Sequence, residues 1–235
     1  MVRNLAIIPA RSGSKRIPDK NIHPFAGLPL LAWSVRHALD SGVFDRVYVS
    51  TDSERYAEIA RAHGAWVPFL RDAGSDDFAT VAQVVVRETE RIEEFSGTKY
   101  DNVAVVLPTC PLCDGGTIRA AYEEFVRRGE EVMTACFPFR YANPWWAMKL
   151  SEDGRGAFVL EAPEKSRSQD RPQLYCPTGA IAFARIEAIR RDPSPYAPGR
   201  GFYPIPWCKG FDIDEPEDLE MGELLFRMEG ASDRR

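Results

Sequence analysis

The feature that most constrains this chain is the alternation of strand-length apolar runs with helix-length amphipathic stretches, with few tight hairpin signals between them. Residues 5–8 (Leu-Ala-Ile-Ile) form a short apolar run that stops at Pro9. Residues 30–41 carry apolar side chains at helical spacing and end before Gly42. Residues 47–50 read as a second strand and residues 54–63 as a helix closed by Gly64. Residues 65–67 suggest a short third strand and residues 77–95 a long helix. Residues 103–107 (Val-Ala-Val-Val-Leu) are the most apolar run and predict a central strand, followed by a helix over 116–128 and a strand over 131–136. This order predicts parallel βαβ units and an α/β layered fold. Ligands in such sheets lie beyond the carboxyl ends of the strands, which places the loops after Ile8, Ser50 and Leu107 around one site.

The pattern loosens at about residue 138. Residues 138–173 are rich in Pro, aromatic and charged side chains with weak periodicity, and read as an insertion within a single domain spanning 1–235. Its Trp145 and Trp146 read as aromatics that bury against a partner rather than as a sugar platform. A strand resumes over 179–183, an extended stretch covers 202–206, and a final helix is expected over 216–228.

Two constellations carry chemistry. Residues 8–21 read Ile-Pro-Ala-Arg-Ser-Gly-Ser-Lys-Arg-Ile-Pro-Asp-Lys-Asn, with four cations (Arg11, Lys15, Arg16, Lys20) in ten residues. Ser12, Gly13 and Ser14 let the backbone turn and aim N–H groups inward, an arrangement that holds phosphate oxygens while the cations neutralise them. The spacing is not that of a Walker A loop. Near the other end, Asp212-Ile-Asp214 sets two carboxylates two residues apart. In extended backbone both project to one face, and two hard oxygen ligands suit Mg²⁺ alongside substrate phosphates. An acidic helix start explains Glu215, Glu217 and Asp218 but explains Asp212 poorly.

Composition excludes some alternatives. The net charge of −5 argues against a nucleic-acid surface. No apolar run reaches membrane-spanning length, and the start lacks a signal peptide's apolar core, so a cytoplasmic location is expected. Five cysteines in no scaffold pattern read as reduced thiols. Cys110 and Cys113 have the spacing of half a zinc site without a second half, and read as structural.

These constellations, in this order and separation, resemble the acylneuraminate (CMP-sialic acid synthetase) cytidylyltransferase family. The loop over residues 8–21 is similar to the family's CTP-binding loop almost throughout. Residues 49–52 (Val-Ser-Thr-Asp) resemble its second-strand motif, and 108–112 (Pro-Thr-Cys-Pro-Leu) its Pro-Thr-Ser-Pro-Leu. Residues 167–170 and 179–181 resemble its sugar-side motif, and 211–214 its metal motif. The resemblance implies a Rossmann-like, GT-A-like nucleotidyltransferase fold in three layers, with a requirement for CTP and Mg²⁺. It also implies a homodimer in which the inserted segment reaches across to the partner. It implies that Ala10, Arg11, Ser12, Gly13, Ser14, Lys15, Lys20, Asn21, Thr51 and Asp52 contact CTP, that Asp212 and Asp214 hold the metal, and that Arg11, Lys15 and Asp214 act in catalysis. On the sugar side it implies Leu107, Thr109, Arg167, Gln169 and Thr178. Leu107 stands where the sialic-acid enzymes carry a Gln, Cys113 where an Arg is common, and Thr178 where an Asn is usual. Replacing a polar recognition group by Leu disfavours a substrate that needs a hydrogen bond there, and the 137–141 and 167–170 stretches resemble the pseudaminic acid branch. The expected reaction is attack by the anomeric hydroxyl of an acidic nine-carbon sugar on the α-phosphorus of CTP, releasing pyrophosphate. The alternatives are a Kdo-type nucleotidyltransferase and a glycosyltransferase using Asp212-Ile-Asp214 as its Asp-x-Asp motif, which would have no need of the cationic loop.

Overall fold

The computed structural model describes residues 2–72, 80–140, 143–160 and 170–232. The first apolar run becomes β1 (Asn4–Pro9). After the cationic loop come a two-stranded ribbon, β2 (Pro24–Phe25) and β3 (Leu28–Pro29), and helix α1 (Leu30–Asp40). Then follow β4 (Arg46–Ser50), α2 (Glu54–Ala62), α3 (Val81–Ser96), β5 (Asn102–Val105), α4 (Gly115–Arg128) and β6 (Val132–Pro138). The inserted segment carries β7 (Met148–Leu150) and β8 (Gly156–Phe158); β9 (Tyr175–Arg185), α5 (Ile186–Arg191), β10 (Gly201–Pro204) and α6 (Pro216–Ser232) complete the order.

Six strands form one sheet in the order β10-β6-β9-β5-β1-β4. β1 pairs in parallel with β4 and β5, and β10 in parallel with β6. The parallel βαβ units expected from the sequence are present, and β9 departs from them by running antiparallel to both β5 and β6. The register explains why: Pro138 faces Tyr175 and Phe137 faces Cys176, so the chain leaves β6 into the inserted segment and returns directly alongside it. Antiparallel return needs no crossover helix, and helical periodicity is therefore weak through 138–173. The expected strand at 65–67 reduces to a single bridge between Tyr48 and Trp66.

Side-chain alternation along the strands divides the core into two layers. Ala6, Ile8, Val47, Val49 and Ala104 join α1, α2 and α4 on one face. Leu5, Ile7, Tyr48 and Val103 join α3 and α5 on the other. Helices therefore cover both faces and the three-layer arrangement holds. α3 is anchored through fully buried Glu88, which accepts hydrogen bonds from the Tyr48 hydroxyl (2.5 Å) and the Ser50 hydroxyl (3.1 Å) and an ion pair from Arg91 (3.1 Å). α4 starts so close to the end of α1 that a Cβ on Gly115 would lie 2.9 Å from the Ser41 nitrogen and 3.0 Å from the Asp40 carbonyl carbon. Both are backbone atoms, so no rotamer change relieves the contact. Gly115→Ala is expected to destabilise the protein by about 1–3 kcal/mol, read as a lowered urea midpoint with an unchanged slope; an unchanged midpoint would show that the α1–α4 approach is not this close.

Candidate active site

A cleft of about 580 Å³ opens at the carboxyl ends of β1 and β5, lined by Arg11, Ser14, Lys15, Arg16, Lys20 and Asn21 on one side and by Leu107, Pro108, Thr109 and Asp214 on the other. The two constellations, nearly two hundred residues apart in sequence, thus meet. The Lys20 ammonium donates to the Ile213 carbonyl and to Asp214 Oδ1, each at 2.8 Å. Arg16 bridges Asp214 Oδ1 (2.9 Å) and Glu215 Oε1 (2.9 Å).

Apolar packing holds this meeting in place. Ile17 of the loop and fully buried Ile213 belong to one cluster with Phe25, Leu30 and Trp33. The Ile213 N–H donates to the Thr109 carbonyl (2.9 Å), which joins the segment to the loop after β5. The cationic loop has its own supports. The Ala10 N–H donates to the Ser50 carbonyl (2.9 Å). The Asp52 carboxylate accepts from the Ser12 N–H (2.8 Å) and the Ser12 hydroxyl (3.2 Å). The Asn21 amide donates to the Arg11 carbonyl (3.0 Å). Asp19 adopts left-handed backbone (φ 53) and its carboxylate accepts from Tyr56 and Arg55, both at 3.1 Å.

The structure therefore sorts the residues expected at the site. Arg11, Ser14, Lys15, Lys20, Asn21, Leu107, Thr109 and Asp214 line the cleft. Ala10, Thr51 and Asp52 stand behind the loop: Ala10 and Thr51 are fully buried, and Asp52 ties down Ser12. Ser12 and Gly13 shape the turn. Thr178 turns away, its hydroxyl donating to the Gly210 carbonyl (3.0 Å). Arg167 and Gln169 lie outside the described residues. Cys110 and Cys113 are buried free thiols; burial raises both, Cys113 to about 12, in keeping with a structural role.

Arg71 was missed from sequence. It is buried at the cleft wall and its N–H donates to the Thr51 carbonyl (2.7 Å). It follows an aperiodic stretch, so its only signal was a lone cation among apolar neighbours. Val81 and Val84, on the first turns of α3, also reach the cleft.

The two carboxylates differ in electrostatics. Burial pushes the Asp212 carboxyl up; a hydrogen bond with the Thr109 side chain opposes this and the charge of Asp214 adds to it. Burial also disfavours ionisation of Asp214, but the Lys20 hydrogen bond and charge, with Arg16, outweigh it and hold that carboxyl below the usual range. Among the described residues no group of three or more His, Cys, Asp or Glu could hold a metal ion, and of the two carboxylates Asp214 lines the cleft.

The family model for cytidylyltransferases matches residues 5–135, the half of the chain that carries the cationic loop and the first three strands of the parallel core. The chain belongs to the cytidylyltransferase family. A pseudaminic acid cytidylyltransferase of Campylobacter jejuni is 36% identical over 98% of this chain and 99% of its own. A CMP-N,N'-diacetyllegionaminic acid synthase of Legionella pneumophila is 32% identical over 97% of each chain. In fold, the chain resembles a CMP:2-keto-3-deoxy-manno-octonic acid synthetase solved with CTP, at a TM-score of 0.71 over 97% of this chain and 99% of that one, with 17% identity. Among the described residues no helix is long and apolar enough to cross a membrane.

In this cytidylyltransferase the depressed Asp214 carboxyl carries a pH signature. Its contribution to stability is present above the ordinary carboxylate value, about 4, and is lost as pH falls through its lower native value. Lys20→Met is expected to raise the Asp214 pKa toward about 4 and to shrink that acid-dependent loss. Carbon-13 NMR titration of the Asp214 carboxyl checks this; an unmoved midpoint would mean that Lys20 does not govern the group.

Proposed function

We propose that this cytidylyltransferase transfers CMP from CTP to the anomeric hydroxyl of a nonulosonic acid, an acidic nine-carbon sugar of the sialic type, and releases pyrophosphate. The observation that carries the reading is the single cleft in which Arg11, Lys15 and Lys20 face Asp214 and the loop after β5. Similarity to pseudaminic and N,N'-diacetyllegionaminic acid enzymes over almost the whole chain supports the sugar class. A glycosyltransferase built on Asp212-Ile-Asp214 would leave the cation-dense loop without a purpose.

In the proposed step the sugar hydroxyl attacks the α-phosphorus and pyrophosphate leaves in line. The protein's part is positioning and charge neutralisation rather than covalent chemistry. Arg11 and Lys15 stabilise the charge that grows on pyrophosphate. The Ser12 N–H is held by Asp52 and the Ser14 N–H by the Ser12 carbonyl, so in this turn the Ser14 side chain, which lines the cleft, is the group offered to phosphate oxygens. Arg71 and the first turn of α3 close the far wall around the nucleoside. Lys20 divides its role, since it already grips the Ile213 carbonyl and so fixes the carboxylate segment against the loop.

The residues present fit Mg²⁺. Asp212 and Asp214 supply two hard oxygen donors beside a phosphate cleft, the number this ion usually draws from protein. Burial raises the Asp212 carboxyl and the charge of Asp214 adds to the shift, a repulsion of the kind a divalent cation relieves. When bound, the ion would supply further charge neutralisation at the triphosphate. Asp214 would then exchange part of its contact with Arg16, whose side chain is half exposed and free to swing toward phosphate. The proposed assembly is a homodimer joined through the inserted segment, whose β7–β8 hairpin exposes Met148, Leu150 and Phe158. Arg171 stacks over Trp145 at 5.0 Å within that segment.

Two outcomes are expected. With CTP, Mg²⁺ and a panel of nonulosonic acids, pyrophosphate is released with at least one acid and not after chelation by EDTA; silence across the panel would overturn the function, and full activity in EDTA the metal. Asp214→Ala is expected to lower kcat/KM by about 10²-fold or more in a protein that still folds, whereas Lys15→Ala raises the KM for CTP by about 10–100-fold, as loss of a charge-assisted contact implies, and spares the KM for sugar.

A further inference from the structure

The chain enters the carboxylate segment through a short turn of 3-10 helix, Trp207–Gly210. Among the described residues, Lys209 on that turn lies outside the lining of the phosphate cleft. Its side chain is 16% exposed, and its ammonium sits between two carboxylates, 2.6 Å from Asp114 Oδ2 and 2.8 Å from Glu229 Oε2. Both partners have a second duty. Asp114 caps α4, its other oxygen accepting from the Thr117 N–H (2.7 Å). Glu229, near the end of α6, accepts from the Cys208 thiol (3.3 Å). One ammonium therefore joins three elements that lie far apart in the chain: the turn before Asp212, the start of α4 and the end of α6.

This clamp closes on the loop that forms one wall of the cleft. The loop after β5 carries Leu107, Pro108 and Thr109 into the cleft and ends at Asp114, where α4 begins. The same loop accepts the Ile213 N–H at the Thr109 carbonyl. The carboxylate segment is thus fastened to it on both sides of Asp212. A four-residue 3-10 turn has too few internal bonds to hold its own direction. The bonds at Ile213 and from the Thr178 hydroxyl to the Gly210 carbonyl (3.0 Å) are neutral. Lys209 adds two charge-assisted bonds, a kind roughly twice as strong. Burial disfavours charge on Lys209 and on Asp114, yet their hydrogen bonds hold the lysine above its usual range and the carboxyl below it. The pair therefore stays ionised through neutral pH.

We propose that Lys209 is a positioning residue of the transfer: by tying the turn to Asp114 and Glu229 it makes the carboxylate segment and the loop after β5 a single wall, and so sets where Asp214 stands across the cleft from Arg11 and Lys15. The inference rests on the CTP-dependent reading above. Lys209 acts through the backbone, so its loss leaves the cations that meet CTP in place and misplaces the wall opposite them. A shift of about 1 Å in such a wall is enough to lower a rate about 10²-fold. The effect is therefore expected in kcat and not in the KM for CTP, the reverse of Lys15→Ala.

The test uses the full-length enzyme with CTP, Mg²⁺ and a nonulosonic acid that the parent turns over. Lys209→Met keeps the reach of the side chain and removes its charge; kcat is expected to fall about 10–100-fold while the KM for CTP stays within twofold. Because Met leaves two carboxylates without their cation, this variant is also expected to melt lower. Lys209→Met with Asp114→Asn separates the two effects. Asn caps a helix as well as Asp does, so the double variant is expected to regain part of the melting temperature and none of the kcat. Lys99→Met is the control: Lys99 pairs with buried Glu93 at 2.7 Å just before β5, at the end of the sheet opposite the cleft, and its loss is expected to leave kcat within twofold. Methyl NMR gives a readout without substrate, since the Ile213 δ1 methyl is expected to gain millisecond exchange broadening in Lys209→Met and not in Lys99→Met. A kcat within twofold of the parent in both Lys209 variants would overturn the proposal. So would an equal loss in Lys99→Met, or a kcat that returns with the melting temperature in the double variant, since either marks Lys209 as structural alone. If Lys209→Met does not fold, the kcat and the Ile213 methyl of the double variant decide. A parent silent with every acid would overturn the CTP reading, and an unbroadened Ile213 methyl in a folded Lys209 variant would separately overturn this one.

Discussion

The burial of Ile213 between two aspartates is the constraint on which the site depends. Its side chain has no solvent exposure and shares a cluster with Ile17 of the cationic loop. Full burial of such a side chain is worth about 1.5–3 kcal/mol, enough to hold a short irregular segment in one place. Both of its backbone groups are also used, the N–H by Thr109 and the carbonyl by Lys20. An apolar peg with polar tethers on either side holds Asp214 against the loop. The chemistry is polar, but a hydrophobic contact sets its geometry.

A cluster of cations around a phosphate cleft repels itself before any ligand arrives. The protein answers with carboxylates that pair two of them. Lys20 and Arg16 lean on Asp214, and Arg16 on Glu215 as well. Lys15 stays exposed at the rim. The paired cations are held in place, and exposed Lys15 stands where a polyanion can meet it. Asp214 thereby serves the cationic loop as a counter-ion.

Much of this was legible residue by residue. The turn at Ser12, Gly13 and Ser14, its cations, and the alternating carboxylates at 212 and 214 all announced themselves by type and spacing, and Ser14, the cations and Asp214 do share a cleft. Thr51 and Asp52 were legible as neighbours of that loop, but not in the supporting place they occupy, because spacing cannot say whether a carboxylate meets ligand or a Ser12 N–H. Arg71 was invisible, since a single buried cation in an aperiodic stretch has no pattern. The antiparallel course of β9 was also hidden: strand-length runs carry no direction, and direction came from the long β6–β9 return around the inserted segment.

The amino-acid sequence alone determined the layered α/β class, the dense positive charge and flexible turn of residues 9–21 and the acidic pair near the other end. These follow from local physics: side-chain period, backbone permissiveness and charge density act over a few neighbours. Only the tertiary structure decided that Lys20 touches Asp214, that Thr178 turns toward Gly210, and that Lys209 reaches Asp114 and Glu229. Those facts depend on packing between segments far apart in the chain, and no property of a short window encodes them.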